Sequence, residues 1–200
     1  MRQILAQTEN RKSYSPMRAG LDATDWRILK ELQTNGRITN VELARKVELS
    51  PPPCLRRTRA LEQAGIISGY FALLDEKALD FEVIAFASVG LHSQSEPDLR
   101  AFENRVLAWP LVRECYMLSG EIDFILKCVA PDLTSFQDFV INDLTAAPNV
   151  ASVKTTLVIS RVKFEPGVPI ALGQKRPADH GTGAGPGRGP GSDSGRKRQG

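Results

Sequence analysis

Between Asp22 and Gly36 the apolar residues Trp26, Ile28, Leu29 and Leu32 recur with polar residues between them, a spacing that keeps one stripe of an α-helix apolar. Asp22 is placed to cap this helix with Asp25 at its third position, and Gly36 is its expected end. A second, shorter helix is expected in "TNVELARKVELS", where Thr39 and Glu42 have capping-box spacing and Leu43, Ala44 and Val47 share a face. A third comes in "SPPPCLRRTRALEQAGII", in which Cys54, Thr58, Leu61 and Gly65 form a single stripe. Ser50 is its N-cap candidate, proline is tolerated where the first amides have no intrahelical partner, and Gly65 is the expected stop. Because proline biases the residue before it away from helical angles, Pro51 to Pro53 all remain open as the first helical position. Arg56 and Arg59 fall away from the stripe, and Arg57 lies on its flank. Two short helices joined by a few residues, the second carrying arginines outward, match a helix-turn-helix. The segment "IISGYFALLD" then reads as a strand and turn.

The rest of the patterned chain alternates its period. "VIAFASVGL" (Val83 to Leu91) is a strand, and "PDLRAFENRVLAW" is a helix with Leu99, Phe102 and Val106 on one face. Val112 to Ser119 and Ile122 to Ala130 are strands joined by a tight loop at Gly120 and Glu121. "DLTSFQDFVINDLTAA" is a helix capped by Asp132 with Leu133, Phe136, Val140 and Leu144 inward, and Val150 to Phe164 is a long last strand. Strand, helix, strand, strand, helix, strand is the split βαβ or ferredoxin-like order, an antiparallel sheet with both helices on one face. The other face is left uncovered, and Val83, Ala85, Ala87 and Val89, or their interleaved neighbours, are apolar enough to pack it against a partner.

Composition changes this picture mainly at the two ends. Residues 1–20 are polar and read as a flexible arm, and residues 166–200 contain ten glycines and five prolines, a composition that cannot bury enough apolar surface to order itself. Residues 71–82 read as a linker or hinge between the helical front, 21–70, and the strand-rich rear, 83–165. Net charge runs +3 over residues 1–20, +2 over 21–70, −6 over 71–165 and +4 over 166–200, so the ends rather than the middle would meet a polyanion. No apolar run reaches the roughly 20 residues needed to span a bilayer, and the polar start lacks the apolar block of a secretion signal, so a cytoplasmic setting is expected. Cys54, Cys115 and Cys128 make an odd count without a CxxC pair, against both a disulfide framework and a zinc finger, and are read as small buried apolar groups.

No enzyme constellation stands out. His92 and His180 are the only histidines, neither near a nucleophile or a ligand motif, and no phosphate-binding glycine pattern follows a strand. The "GTGAGPGRGPG" run is low complexity, the acidic pairs Asp75 with Glu76 and Glu121 with Asp123 read as turn chemistry, and no metal or other cofactor is implied.

The stretch "LDATDWRILKELQTNGRITNVELARKVELSPPPCLRRTRALEQAGIISGY", followed by "ECYMLSGEIDFILK" and the final strand, resembles the Lrp/AsnC (leucine-responsive, feast/famine) family of transcriptional regulators from Leu21 to about Phe164. The resemblance implies an α+β chain: an N-terminal winged helix-turn-helix followed by a ferredoxin-like βαββαβ domain that senses an amino acid and oligomerises. It further implies double-stranded DNA, a free amino acid, and a homodimer or octamer as partners, in a nucleoid-associated protein. The candidate DNA-contacting residues are Asn40, Ser50, Pro52, Pro53, Arg56, Arg57 and Arg59, with Arg56 and Arg59 foremost because an outward arginine can donate two hydrogen bonds to guanine. In the family the loop "SGEIDF" lies at an interface between dimers where a free amino acid binds. The effector candidates are therefore Met117, Ser119, Gly120 and Asp123, with Thr155, Thr156 and Leu157 from the last strand; Asp123 offers a charge complementary to an α-ammonium.

Two positions depart from the family pattern. Glu48 stands where a glycine usually forms the turn between the two helices, so a side chain must be accommodated there at a positive φ. Pro52 replaces a residue that often bears a hydroxyl, which removes a side-chain donor and an amide from a phosphate contact. An architectural protein that wraps DNA and senses nothing, and an enzyme built on the rear half, are the competing readings.

Overall fold

The computed structural model describes residues 20–171, which divide between two compact units: one holds the described residues up to Tyr70 together with Gly167 onward, the other holds Phe71–Pro166. Most of the expected N-terminal arm and the greater part of the basic tail lie outside the described residues.

The front unit is three helices, α1 (Ala23–Thr34), α2 (Asn40–Lys46) and α3 (Pro51–Gln63). The first two begin where the side chains dictate. Asp22 Oδ1 accepts from the amides of Thr24 and Asp25 at 2.8 and 2.9 Å while Asp25 Oδ2 accepts from the Asp22 amide, and Thr39 and Glu42 close the same reciprocal box on α2. Ile28, Leu43, Ala44, Val47, Cys54 and Leu61 form the buried core, flanked by half-buried Leu29 and Leu32. Trp26, expected on that face, is half-buried and outside the cluster. α1 stops at Thr34 rather than Gly36, because Asn35 already leaves helical angles at φ −144. α3 starts at Pro51, the earliest of the open positions, and ends as expected with Gly65 left-handed at φ 69 behind it. Glu48 does adopt the positive φ that its place between α2 and α3 requires, at 58°.

The expected strand in residues 66–75 is absent. Strand hydrogen bonds need a neighbour, and among the described residues this segment pairs with none. Phe71, Leu73 and Leu74 are exposed, and a short 3₁₀ turn at Lys77–Leu79 precedes the sheet.

The rear unit follows the expected order: β1 (Val83–Leu91), α4 (Glu96–Val106), β2 (Val112–Met117), β3 (Phe124–Ala130), α5 (Leu133–Phe139) and β4 (Val150–Leu157). The sheet is antiparallel in the order β2-β3-β1-β4. Ala85, Ala87 and Val89 of β1 and Phe124, Leu126 and Cys128 of β3 alternate into a core capped by Phe102, Phe136 and Phe139. Phe102 bridges that layer, its ring 4.8 Å from Phe124 and 6.0 Å from Trp109, which in turn meets Phe139 edge-on at 5.4 Å. Since Ala85, Ala87 and Val89 are buried here, the open face belongs to their neighbours Ile84, Phe86 and Ser88, paired across β3 with Val129, Lys127 and Ile125. Phe86 is 37% exposed.

Three differences from the expected elements have local causes. The two strands of the β2–β3 hairpin are shorter than expected, because residues 118–123 turn. β4 ends at Leu157, not Phe164: Leu157 pairs with Ala85, the Val158 amide reaches the Ile84 carbonyl at 2.8 Å, and beyond that β1 has run out of partners. The last helix is not uniform, for Val140–Leu144 forms a π-turn in which the Thr145 amide reaches back to the Val140 carbonyl at 2.9 Å. The buried residues are Phe136, Phe139 and Leu144, and the last two are five apart, a π spacing; Leu133, expected inward, is exposed. Cys54 and Cys128 are buried as expected, whereas Cys115 is half-buried.

Candidate functional site

α3 is built to present one face. Cys54, Thr58 and Leu61 are buried, with the Thr58 hydroxyl donating to the Cys54 carbonyl at 3.1 Å, and Pro52, Arg56 and Arg59 are exposed on the opposite side. Among the described residues Arg56 and Arg59 take part in none of the ion pairs. The three prolines also strip the helix start of donors. Cys54 is the first residue of α3 with an amide, and it is already directed at the Ser50 carbonyl at 3.3 Å. The anion-binding helix N-terminus that many DNA readers use is therefore missing from α3, so a hold on phosphate at this helix start must come from side chains. Ser50 has the extended backbone of an N-cap but its hydroxyl makes no cap bond, which is the consequence of having no amide at the next three positions. Asn40 Nδ2 donates to the Pro51 carbonyl at 2.9 Å, stitching the start of α2 to the start of α3, and Pro53 is half-buried.

Arg57 is held differently from Arg56 and Arg59: its Nη1 lies 2.8 Å from Asp22 Oδ2 and 2.8 Å from Asp25 Oδ1, so the guanidinium closes the α1 capping box from the side. Asp25 is only 8% exposed, a carboxylate seated at the edge of the core. The bond to Asp25 and then that to Asp22 raise the Arg57 pKa above its ordinary value; the Asp25 amide and, after it, Arg57 hold the Asp22 carboxyl below its own. The sequence signal for this pair is a charged residue, Asp25, one turn before Ile28 on the buried side of a helix.

In the rear unit the candidate effector residues fall into two groups. Met117, the last residue of β2, and Ser119 and Gly120 on the β2–β3 connection are exposed, and Asp123 closes the connection. The Leu118 amide donates to the Asp123 carbonyl at 2.8 Å, the Asp123 amide to Val89 at 3.0 Å, and Asp123 Oδ2 accepts from the Leu91 amide at 2.7 Å. Asp123 is 8% exposed, so it is first of all the anchor of the loop to the end of β1, with one carboxylate oxygen already engaged. A Cβ at Gly120 would meet nothing within 4 Å, so the space over this residue is open within a single chain. Thr155, Thr156 and Leu157 sit opposite Ala87, Phe86 and Ala85 on the edge strand, all exposed. Counted along β1 from Val89, that is two to four residues, or about 7–14 Å at roughly 3.4 Å per residue. One chain does not gather the two groups into one pocket.

The unit also has an open concavity of about 390 Å³ on its helix side, bounded by Trp109, Pro110, Phe139, Asp138 and Asp143; it includes none of the candidate residues. Among the described residues no group of histidine, cysteine or carboxylate side chains could hold a metal ion, and no helix is long and apolar enough to cross a membrane.

Comparison with known proteins bears on both units. A family described as winged helix-turn-helix DNA-binding matches residues 21–68, and one described as the Lrp/AsnC ligand binding domain matches residues 84–168. A leucine-responsive regulatory protein of Rhizobium meliloti (strain 1021) is 58% identical over 147 residues, covering 74% of this chain and 94% of that protein. The transcriptional regulator AzlB of Bacillus subtilis (strain 168) is 40% identical over 150 residues, covering 75% and 96%. Among solved structures, a Neisseria meningitidis transcriptional regulator in complex with L-Met superposes with a TM-score of 0.72 at 38% identity, covering 75% of this chain and 97% of that one. These relatives are named as regulators, not enzymes.

Proposed function

The chain belongs to the Lrp/AsnC family of DNA-binding transcriptional regulators and carries that family's ligand-binding domain, and from this premise we propose that it reads duplex DNA with α3 and answers to a free amino acid through the β2–β3 loop. The observation that carries the DNA half is the division of labour on α3. Arg57 is committed to Asp22 and Asp25, while Arg56 and Arg59, one turn apart on the exposed face, have no partner in the ion-pair network of the described residues. Laid in a major groove, that face offers two guanidinium forks to base edges, with the stiff Pro51–Pro53 turn setting the angle of approach. Arg56→Ala and Arg59→Ala should each weaken specific binding by about 1–3 kcal/mol in a gel-shift titration at fixed salt. If neither change alters operator affinity, the face is only solvated.

The effector half rests on chemistry and on kinship. The Neisseria relative was solved with L-Met, and the Rhizobium relative is named for its response to leucine. In this chain the loop offers the Ser119 hydroxyl, unhindered space over Gly120 and the remaining carboxylate oxygen of Asp123, a match for an α-ammonium and an α-carboxylate. The separation of this loop from Thr155–Leu157 favours a site completed by a second copy. That copy would belong to another dimer, while within each dimer a partner would stack on the open sheet face around Ile84, Phe86 and Ile125, giving a two-fold arrangement with two reading helices. A calorimetric screen of the free amino acids tests the response: one should bind and shift DNA affinity by about 1–3 kcal/mol. Asp123→Asn, which keeps an acceptor for the Leu91 amide, should abolish that shift and leave effector-free DNA binding intact. No response to any of the twenty would favour the architectural alternative, and a monomer in light scattering would overturn the dimer.

A further inference from the structure

The outward side of α3 is not uniformly polar. Leu55 is 37% exposed, and it belongs neither to the buried core of the front unit nor to the half-buried residues packed against that core. Three residues before it stands Pro52 and four after it Arg59, both exposed, and in an α-helix those spacings make side-chain neighbours. The face therefore changes along its length. Pro52 and Leu55, whose side chains hold no donor or acceptor, come first, and the guanidinium groups of Arg56 and Arg59 follow. The backbone adds nothing polar at the entry end, since Pro51, Pro52 and Pro53 have no amide hydrogen and the Cys54 amide is directed at the Ser50 carbonyl.

A leucine alone on a surface needs no explanation. A leucine beside two arginines without ion-pair partners, on the face that reads DNA, limits what that face can read. In a major groove the base edges present donors and acceptors, and the C5 methyl of thymine is the one group there that hydrogen bonding does not read. Pressed on a polar edge, Leu55 and Pro52 would strip water from it and return no hydrogen bond, at a cost. Pressed on a methyl group, the same side chains gain by burying apolar surface.

We propose that Leu55, backed by Pro52, is a specificity-determining residue that contacts the C5 methyl group of a thymine close to the base read by Arg59. The proposal rests on the reading of α3 given above and adds to it the chemical class of a second recognised group. Four residues rise about 6 Å along a helix, so the two contacts fall within about two base-pair steps of each other at roughly 3.4 Å per step. The helix then selects a base pair by apolar contact next to one selected by a guanidinium fork.

The test uses the full chain to enrich its preferred duplex from a randomised library, and titrates binding to that duplex by fluorescence anisotropy at fixed salt. Each thymine is then replaced in turn by deoxyuridine, which removes the C5 methyl group and leaves every hydrogen-bonding group in place. At one thymine per half-site the parent should bind about fourfold more weakly, the effect of one methyl group left unburied. Leu55→Ala, which withdraws the side chain from the groove, should bind the thymine and deoxyuridine duplexes alike. Leu55→Met, which keeps an apolar side chain of similar reach, should retain most of the distinction. Because the readout is a ratio between two duplexes within one variant, it does not depend on how much of that variant is folded. A parent indifferent to deoxyuridine at every thymine, a preferred duplex without thymine, or a Leu55→Ala variant with the parent's full distinction would overturn the contact. The α3 reading then stands if Arg56→Ala and Arg59→Ala still weaken binding to the same duplex. Arginine changes without effect there, or a library that yields no preferred duplex, would count against the α3 reading and against the contact that presumes it.

Discussion

Replacing Arg57 by methionine isolates the guanidinium, because the long apolar side chain keeps the packing of the arginine stem. The guanidinium makes two bonds of 2.8 Å, and their surroundings weight them differently. Asp22 is half-exposed, with 49% of its side chain accessible, so its pairing with Arg57 is screened and contributes under about 1 kcal/mol. Asp25 keeps only 11% of its side chain accessible, and a charge-assisted bond to such a group is worth about 1.5–3 kcal/mol, much of it the penalty of leaving the carboxylate without its partner. Because Arg57 itself remains 34% accessible, water can partly replace it, which puts the expected loss for Arg57→Met near about 2 kcal/mol. Urea unfolding followed by Trp26 fluorescence and circular dichroism reads the front unit, and a cycle with Asp25→Asn separates the pair from its context. The cycle should return a coupling of about 1–2 kcal/mol. A coupling below about 0.5 kcal/mol, or a variant that melts like the parent yet loses duplex binding, would refute the reasoning and return Arg57 to the DNA-contacting set.

Glu48→Gly should stabilise the front unit by about 0.5–1 kcal/mol in urea, since a left-handed non-glycine residue costs about 1–2 kcal/mol and the exposed Arg27–Glu48 pair returns little; a lower midpoint would mean that the pair outweighs the strain. Burial pushes the Cys115 thiol up to about 11 and that of Cys128 to about 12, so the native protein should resist iodoacetamide at neutral pH until denatured, and rapid labelling of either thiol would contradict this placement. The Lys127 bond holds the Glu114 carboxyl below its ordinary value of 4.5, so the stability it confers is complete above that value and lost as pH falls through the depressed one. Glu114→Gln should therefore flatten the acid limb of a stability–pH curve, and an unchanged limb would show the pair to be idle.

The parts of the fold legible in the sequence are those with short-range causes. The boxes at Asp22/Asp25 and Thr39/Glu42, the stop at Gly65 and the strained turn at Glu48 each depend on residues a few positions apart, and each is found as expected. The features that escape such a reading depend on distant chain. The end of β4 is decided by where β1 begins, the failure of residues 66–75 to form a strand by the lack of a neighbour, and the fate of Arg57 by a carboxylate 32 positions earlier. Alternation along β1 gives two faces, but Ile84 and Phe86 are as apolar as Ala85 and Ala87, so only the packed helices decide which is inside. The π-turn escapes for another reason: a template of 3.6 residues has no place for Phe139 and Leu144 facing the same way. Similarly, Asp123 is legible as a charge near a glycine loop, but not as the acceptor for Leu91, a bond across 32 residues.

The sheet order has a consequence for aggregation. A four-stranded sheet with β2 and β4 outermost has two rims of unsatisfied backbone on which foreign strands can crystallise, the route by which β-proteins turn into fibres. Here each rim is spoiled. Lys154 stands exposed in the middle of β4, and β2 is interrupted by a register shift between Val112 and Glu114 with exposed Arg113 at the break. Charge and kink close the rims to lateral growth, while on the broad side Ile84, Phe86 and Ile125 offer apolar surface and Lys127 is tied to Glu114. In the dimer proposed above, self-association of this sheet would thereby be channelled away from open-ended polymerisation and toward contact that ends with a single partner.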